Sequence, residues 1–259
     1  MRFPSFTLSL FALSTVLPTI YAAPCQYGDC SLQRRAATSL IGTTLTIEGK
    51  GAVIGPQITD KENKWRPVYH LASWDNEKKE ADKPGYILKL FLWAPEDSKL
   101  RREIEALRLV GQLVKAGQVV VENQKKNAIV MHEAPGKTMK QLREDHPKEI
   151  VKIMKRWIPA IAAKAAHFAK QGLSHHDLNE GNIFISMNKN TAEDFLPSTG
   201  VTPADMMSRV TLIDWGYYDR PGEKGFTDDS KEFERRMGAD WGLMEWSQRN
   251  GPTEAWLGI

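Results

Sequence analysis

Three polar residues, His175, Asp177 and Asn182, occur in the spacing H-x-D-x-x-x-x-N within Leu173–Ile185, where apolar residues flank them. An aspartate can accept or orient a hydroxyl proton, and an asparagine offers an amide oxygen suited to Mg²⁺. A further acceptor, Asp214, ends a short apolar run downstream. Two loops that present oxygen atoms at the ends of apolar strands can hold a divalent metal against nucleotide phosphates.

A lysine in an apolar strand is the next chemical feature. Tyr86–Trp93 is almost continuously apolar, which predicts a strand buried on both faces, yet Lys89 stands in its middle. A buried ammonium group is costly unless an anion pairs with it. The sequence therefore predicts an anionic partner for Lys89.

The helix predicted over residues 97–115 offers two glutamates as that partner. Glu103 lies within its apolar stripe, whereas Glu105 lies on the opposite face beside arginines. A carboxylate in an apolar stripe needs a cation, so Glu103 is predicted to pair with Lys89.

At these positions the sequence resembles the protein-kinase-like phosphotransferases. Asp177 to Asn182 matches their catalytic loop, and the D-W-G that begins at Asp214 matches their D-F-G element with tryptophan in place of phenylalanine. The resemblance implies that Asp177 acts as general base, and that Asn182 and Asp214 coordinate Mg²⁺ or Mn²⁺. It also implies that Lys89, paired with Glu103, binds the phosphates of ATP.

Two more stretches are expected to contact the nucleotide on this resemblance. Gly49 and Gly51 lie in a glycine-bearing stretch similar to the kinase G-x-G-x-x-G loop, although its third glycine comes one residue late. Residues 130–136, VMHEAPG, resemble the hinge between kinase lobes, which places Glu133 and Ala134 against adenine. The proline that follows them has no N–H to donate.

The resemblance implies an α+β fold of the two-lobed protein-kinase-like type. An antiparallel sheet with one helix is expected to form the N-lobe over residues 36–135. A reduced, mostly helical C-lobe is expected over residues 136–259.

Several local expectations accompany this fold. Strands are predicted over residues 118–122 and 127–131, and Pro159 is expected to begin a second helix within residues 148–171. Residues 186–208 are interpreted as a polar surface insertion. The D-W-G-L at residues 240–243 resembles the start of the long helix that anchors the lower kinase lobe.

The N-terminus has the composition of a secretory signal peptide. Arg2 precedes an apolar run that ends near small residues, which predicts a signal peptide over residues 1–22. The dibasic pair Arg34-Arg35 resembles a processing site, so residues 23–35 are a possible propeptide, with two solvated linker arginines as the alternative. We expect a secreted protein or one in the lumen of the secretory pathway.

Composition excludes several other classes of function. The 259-residue chain carries 35 basic and 32 acidic side chains, a net charge of +3 that argues against a nucleic-acid-binding protein. No apolar stretch after the signal reaches the length of a membrane span. We expect a monomer whose partners are ATP and a hydroxyl-bearing acceptor, with serine or threonine of a protein preferred.

Two departures from the kinase pattern leave alternatives open. His176 replaces the arginine of H-R-D, which argues against switching by activation-loop phosphorylation, and Asn179 replaces the catalytic-loop lysine. The sequence also has some likeness to aminoglycoside and choline phosphotransferases, which would make it a small-molecule kinase. A secreted, non-catalytic binding or effector protein on a kinase scaffold is the third hypothesis.

Overall fold

The computed structural model describes residues 40–59, 66–78, 84–92, 97–187, 195–196 and 201–243. The chain divides into two units, Met1–Ala36 and Ala37–Ile259, and every described residue belongs to the second. The predicted signal peptide and propeptide lie outside the described residues. Within the described ranges, no helix has both the length and the hydrophobicity needed to cross a membrane.

Seven antiparallel strands form the main sheet. In chain order they are β1 (Thr44–Ile47), β2 (Lys50–Gln57), β3 (Val68–Trp74), β4 (Glu77–Lys78), β5 (Tyr86–Phe91), β6 (Leu113–Val121) and β7 (Gln124–His132). Their spatial order is β1-β2-β3-β5-β7-β6, with β4 paired to β3. Since β1 also contacts β6, the sheet curls toward a barrel.

Three hairpins in this sheet share one turn geometry. Each turn has two central residues with positive φ, the conformation of a type I′ turn, whose twist matches that of the flanking strands. These pairs are Glu48–Gly49, Asp75–Asn76 and Glu122–Asn123. The tight turns fix the pairing register, and with it the face on which each side chain lies.

The two faces of the sheet have different neighbours. Leu88 and Leu90 belong to a hydrophobic cluster that fills the inside of the curl, together with alternate residues from β1, β2, β3, β6 and β7. Phe91 packs instead into a second cluster formed mainly by the helices that follow. By strand alternation, Lys89 lies on the same face as Phe91. The sheet therefore presents Lys89 toward the helical part of the chain.

Five helices and five short strands complete the described structure. The helices are α1 (Asp97–Leu109), α2 (Met139–Asp145), α3 (Ile150–Ala169), α4 (Pro203–Ser208) and α5 (Ser230–Asp240). The strands are β8 (Lys137–Thr138), β9 (Ser174–His175), β10 (Ile183–Ile185), β11 (Val210–Leu212) and β12 (Tyr218–Asp219). Strand β10 pairs with β8 and β11, and β9 pairs with β12.

The structure corrects two predicted boundaries near α1. This helix ends at Leu109, not near residue 115, because Gly111 adopts a φ of 72° and turns the chain. Residues 113–121 then continue as β6, so both β6 and β7 are longer than the segments predicted from sequence. The apolar residues around Val114 belong to β6, although their helical periodicity predicts that they belong to the helix.

Three predictions for the helical part are also wrong. Pro159 lies inside α3, because the buried face of that helix outweighs the roughly 3 kcal/mol that an internal proline costs. The segment 186–208 is not wholly at the surface, since Phe195 is buried and accepts a hydrogen bond from Trp157 Nε1 at 2.7 Å. The D-W-G-L at 240–243 ends α5, and no helix begins within these four described residues, because Gly242 has a φ of 71° and turns the chain.

The mixed composition of helix and antiparallel sheet is as predicted. The arrangement in two lobes, and the boundaries drawn at residues 36, 136 and 259, stay predictions.

Gly136 has no room for a side chain, because the backbone of another strand lies against it. Gly136, between β7 and β8, has a φ of 93°, and a Cβ atom there would lie 2.0 Å from the carbonyl oxygen of Ile185. Gly222 has a similar φ of 89° but open space around it. We predict that Gly136→Ala lowers the free energy of unfolding by about 3 kcal/mol and Gly222→Ala by about 1 kcal/mol. Urea unfolding measures both, and equal losses would contradict the close approach to Ile185.

Candidate active site

A buried lysine paired with two carboxylates forms the centre of the candidate site. The Lys89 ammonium donates to Glu103 Oε1 at 2.6 Å and to Asp214 Oδ1 at 3.2 Å. The side chains of Lys89 and Glu103 are only 11% and 5% exposed, whereas the Asp214 side chain is 42% exposed. The sheet, helix α1 and the end of β11 thus meet at one cation, with one carboxylate buried and the other open.

The charge state of Lys89 follows from these neighbours. Burial by itself lowers the pKa of Lys89, because an ammonium group loses its hydration. The carboxylates of Glu103 and Asp214 more than compensate and raise the pKa above its ordinary value. Lys89 is therefore protonated at neutral pH despite its burial.

The loop after β9 orients an aspartate with two neutral amides. Asn179 Nδ2 donates to Asp177 Oδ1 at 2.8 Å, and Asn182 Nδ2 donates to Asp177 Oδ2 at 3.2 Å. Asn182 also donates to the backbone carbonyl of Asp177 at 3.0 Å, which closes the loop on itself. Both carboxylate oxygens are held in place, and Asp177 stays half-buried.

A buried histidine joins this loop to β11. His175 Nε2 lies 2.9 Å from the carbonyl oxygen of Ile213, and its Nδ1 accepts the N–H of Asp177 at 3.2 Å. Its ring packs edge-on against Trp215, with centroids 4.5 Å apart. Burial lowers the pKa of His175, although the hydrogen bond to Ile213 acts in the opposite direction. A neutral ring with both nitrogens engaged has a structural role.

The segment that carries Asp214 is fixed against the same loop. Ile213 N–H donates to the carbonyl of Asn182 at 2.9 Å, one step beyond the β10–β11 ladder. Asp214 itself has a φ of 57°. Within the described ranges, every other non-glycine residue with positive φ belongs to a two-residue hairpin turn. A strained backbone at an exposed carboxylate is typical of a functional position.

The oxygen donors near Asp214 suit a hard divalent cation. Asn182 supplies an amide oxygen and Asp214 a carboxylate oxygen, on adjacent segments. Among the described residues, no group of three His, Cys, Asp or Glu side chains is placed to hold a metal alone. Mg²⁺ commonly binds through one or two protein oxygens together with substrate phosphates and water. Asn182 and Asp214 fit that mode of binding.

The strand register does not bring Gly49 and Gly51 to this site. Lys89 pairs with Val68 of β3, and Val68 in turn accepts a hydrogen bond from Ile58, just past the end of β2. Gly51 lies near the other end of β2, roughly 20 Å of strand length from Ile58. This contradicts the prediction that these glycines contact phosphate beside Lys89. The prediction failed because the glycines lie in the β1–β2 hairpin, whereas the connection nearest Lys89 is the later one between β2 and β3.

The predicted hinge residues follow β7 directly. Glu133 N–H donates to the carbonyl of Gly85 at 2.9 Å, and the Glu133 carboxylate accepts from Gly85 N–H at 2.8 Å. Those groups bind the strand edge at Gly85. In the described part of the chain, Ala134 N–H has no hydrogen-bond partner. Contact of Glu133 and Ala134 with adenine stays a prediction.

Two ion pairs that the sequence did not indicate fasten α1 to the segment after Asp214. Arg102 donates to both oxygens of Glu223, at 3.1 and 2.9 Å, and to the Tyr218 carbonyl at 2.7 Å. Arg220 pairs with Glu105 one turn further along α1. These contacts fix the rotation of α1 that directs Glu103 to Lys89. No sequence signal identifies them, because the partners are more than 110 residues apart.

The structure thus brings together five of the predicted site residues: Lys89, Glu103, Asp177, Asn182 and Asp214. Glu133 and Ala134 follow β7, about four and five residues beyond the Ile129 that pairs with Lys89. Gly49 and Gly51 lie elsewhere.

Comparison with known proteins gives distant likenesses among solved structures only. The sequence matches no protein-family model and no curated protein. Among solved structures, the chain is similar to the kinase PK-1 of Cydia pomonella granulovirus, at 14% sequence identity and a TM-score of 0.41. The alignment covers 66% of this chain and 55% of the viral one. At that level the likeness decides neither fold nor function, and the geometry of the site carries the functional interpretation.

The two glutamates of α1 provide a matched test of the buried triad. We predict that Glu103→Gln lowers the free energy of unfolding by about 3 kcal/mol, because it leaves a buried ammonium with one carboxylate. Glu105→Gln removes only an exposed ion pair and should cost less than about 1 kcal/mol. Urea unfolding of both variants gives the comparison. Similar losses would show that the Lys89–Glu103 pair is not structurally important.

The neutral state of His175 predicts a pH dependence of stability. The unfolded chain protonates this ring below about pH 6.5, while the folded state resists protonation because the pKa is lowered. The contribution of the neutral His175 ring to the free energy of unfolding is therefore fully present above about pH 6.5. It is lost on acidification, by up to about 1.4 kcal/mol per pH unit.

Chemical unfolding between pH 7 and 5 measures this slope. His175→Gln should be less stable at pH 7 but show a shallower decline on acidification. The exposed His167→Gln variant is the control and should keep the wild-type slope. A wild-type slope in His175→Gln would mean that another group is responsible.

Proposed function

We propose that this protein is an ATP-dependent phosphotransferase of the protein-kinase-like type, which transfers the γ-phosphate to a hydroxyl acceptor. One observation supports this above all others. The Lys89–Glu103–Asp214 triad adjoins the loop that orients Asp177, and the Ile213–Asn182 hydrogen bond connects the two. A fixed cation, oxygen ligands for a metal and an oriented carboxylate are the groups that phosphoryl transfer needs.

Each residue has a distinct role in the proposed reaction. Lys89 binds phosphate oxygens, and Glu103 holds it in position. Asn182 and Asp214 hold the metal, which when bound neutralises negative charge on the phosphates. Asp177 accepts the proton of the acceptor's hydroxyl group, and the hydroxyl oxygen bonds to the γ-phosphorus. The bond between that phosphorus and the β–γ bridging oxygen breaks, which releases ADP.

The preferred acceptor is a serine or threonine of a protein. Asp177 is half-exposed on a loop between short strands, and only about forty residues separate the predicted hinge from it, a spacing similar to that of protein kinases. With this function we also propose a monomeric protein in the secretory pathway. A small-molecule acceptor is the second candidate, because the D-W-G at Asp214 has the tryptophan found in aminoglycoside and choline phosphotransferases.

A transfer assay with γ-labelled ATP tests the proposal. The full chain is incubated with Mg²⁺ and either a degenerate Ser/Thr peptide library or choline and aminoglycosides. We predict Mg²⁺-dependent label on peptide, reduced at least about 100-fold by Asp177→Asn. The exposed Asp145→Asn variant, in α2, should retain wild-type activity.

The other outcomes separate the hypotheses. Label found only on choline or an aminoglycoside would show that the acceptor is a small molecule and not a protein. No turnover with any acceptor, and no ATP hydrolysis, would contradict catalysis and favour a binding protein.

A further inference from the structure

A second cation lies on the same face of the sheet as Lys89. The register that pairs Val68 with Lys89 continues through the hydrogen bond from Leu90 N–H to the Pro67 carbonyl, which sets Arg66 opposite Phe91. The Arg66 guanidinium carbon lies 6.0 Å from the centroid of the Phe91 ring, and Lys89 Nζ lies 5.6 Å from it. Both cations therefore flank one aromatic side chain.

Arg66 faces the proposed phosphate region. It lines a small cleft with Phe91 on the sheet side and with residues of α1 and of the segment after Asp214 on the other, namely Lys99, Leu100, Glu103, Gly216 and Tyr217. Gly216 and Tyr217 directly follow the Asp214 segment. Among the described carboxylates, none lies within ion-pair distance of Arg66. The guanidinium thus lies in the cleft beside the site, and no described carboxylate pairs with it.

The charge of the site calls for such a group. Lys89 is already paired with two carboxylates, and Asp177 adds a third negative charge nearby. The loop that orients Asp177, residues 176–182, has the neutral Asn179 and contains no lysine or arginine. Gly49 and Gly51 lie at the β1–β2 hairpin, away from Lys89. The connection from β2 to β3, residues 58–67, contains no glycine in its sequence. Backbone amides on a glycine loop therefore cannot supply the phosphate contacts at this end of the sheet.

Position along the strands indicates which phosphate Arg66 would meet. Tyr86 pairs with His132, beside the predicted hinge, while Lys89 lies three residues further along β5 and Phe91 five. At about 3.3 Å per residue, Arg66 lies roughly 17 Å from the hinge row. A nucleotide with its base at the hinge would pass its inner phosphates by Lys89 and extend its terminal phosphate toward Arg66.

We infer that Arg66 is a second phosphate-binding residue, which contacts the terminal phosphate of the nucleotide. This inference rests on the proposed function. Arg66 acts as a charged side chain in the place of the backbone contacts of a glycine loop, and a guanidinium can donate two parallel hydrogen bonds to phosphate oxygens. It contributes to the discrimination of a triphosphate from a diphosphate.

Calorimetric titration of the full chain with adenosine, ADP and ATP, each with Mg²⁺, tests the inference. Arg66→Gln should weaken ATP binding about tenfold or more, weaken ADP binding less and leave adenosine binding unchanged. Arg66→Lys keeps the charge without the bidentate geometry, so its affinity for ATP should lie between those of the wild type and Arg66→Gln. The control is Arg108→Gln, an exposed arginine on α1, which should bind all three ligands as the wild type does.

The outcomes distinguish this inference from the proposed function. If the wild type binds ATP and Arg66→Gln binds it equally well, Arg66 does not contact phosphate, and the proposed function stands. Equal losses for adenosine and ATP would show that Arg66 acts only through the structure, which also overturns the inference. If the wild type binds no nucleotide, both proposals fail.

Discussion

The neutralisation of one buried ammonium group organises this structure. Lys89 stands in the middle of an apolar strand, where an unpaired charge would cost several kcal/mol. Its two partners come from a helix and from a loop about 125 positions downstream in the chain. Satisfying Lys89 therefore requires that the sheet, α1 and the end of β11 come together. The same pairing leaves the Asp214 carboxylate open at the surface, where a metal and phosphates could reach it.

Secondary contacts make that arrangement rigid. Arg102 and Arg220 hold α1 against the segment after Asp214, so Glu103 cannot rotate away from Lys89 without breaking two ion pairs. The pairing of Arg102 also lowers the pKa of Glu223, which keeps that carboxylate ionised. His175 and Trp215 form a buried contact under the catalytic loop.

The sequence predicted the chemistry of the site better than the surroundings of the site. Glu103 could be chosen over Glu105 because helical periodicity and burial cost point to the same residue. Gly49 and Gly51 were misassigned because glycine spacing does not reveal how many hairpins precede the lysine strand, and only the register does. Pro159 was misplaced because local propensity could not weigh the packing of α3. Arg66 could not be identified from the sequence, because its place beside Lys89 depends on the register between β3 and β5.

A crystal structure with Mn²⁺ and a non-hydrolysable ATP analogue would test the central claim most directly. Anomalous scattering would locate the metal without ambiguity. We predict Mn²⁺ bound between Asn182 and Asp214, with a phosphate oxygen within hydrogen-bond distance of Lys89 Nζ. A metal at another position, or a nucleotide that does not approach Lys89, would contradict the claim that the buried triad is a phosphate-binding site.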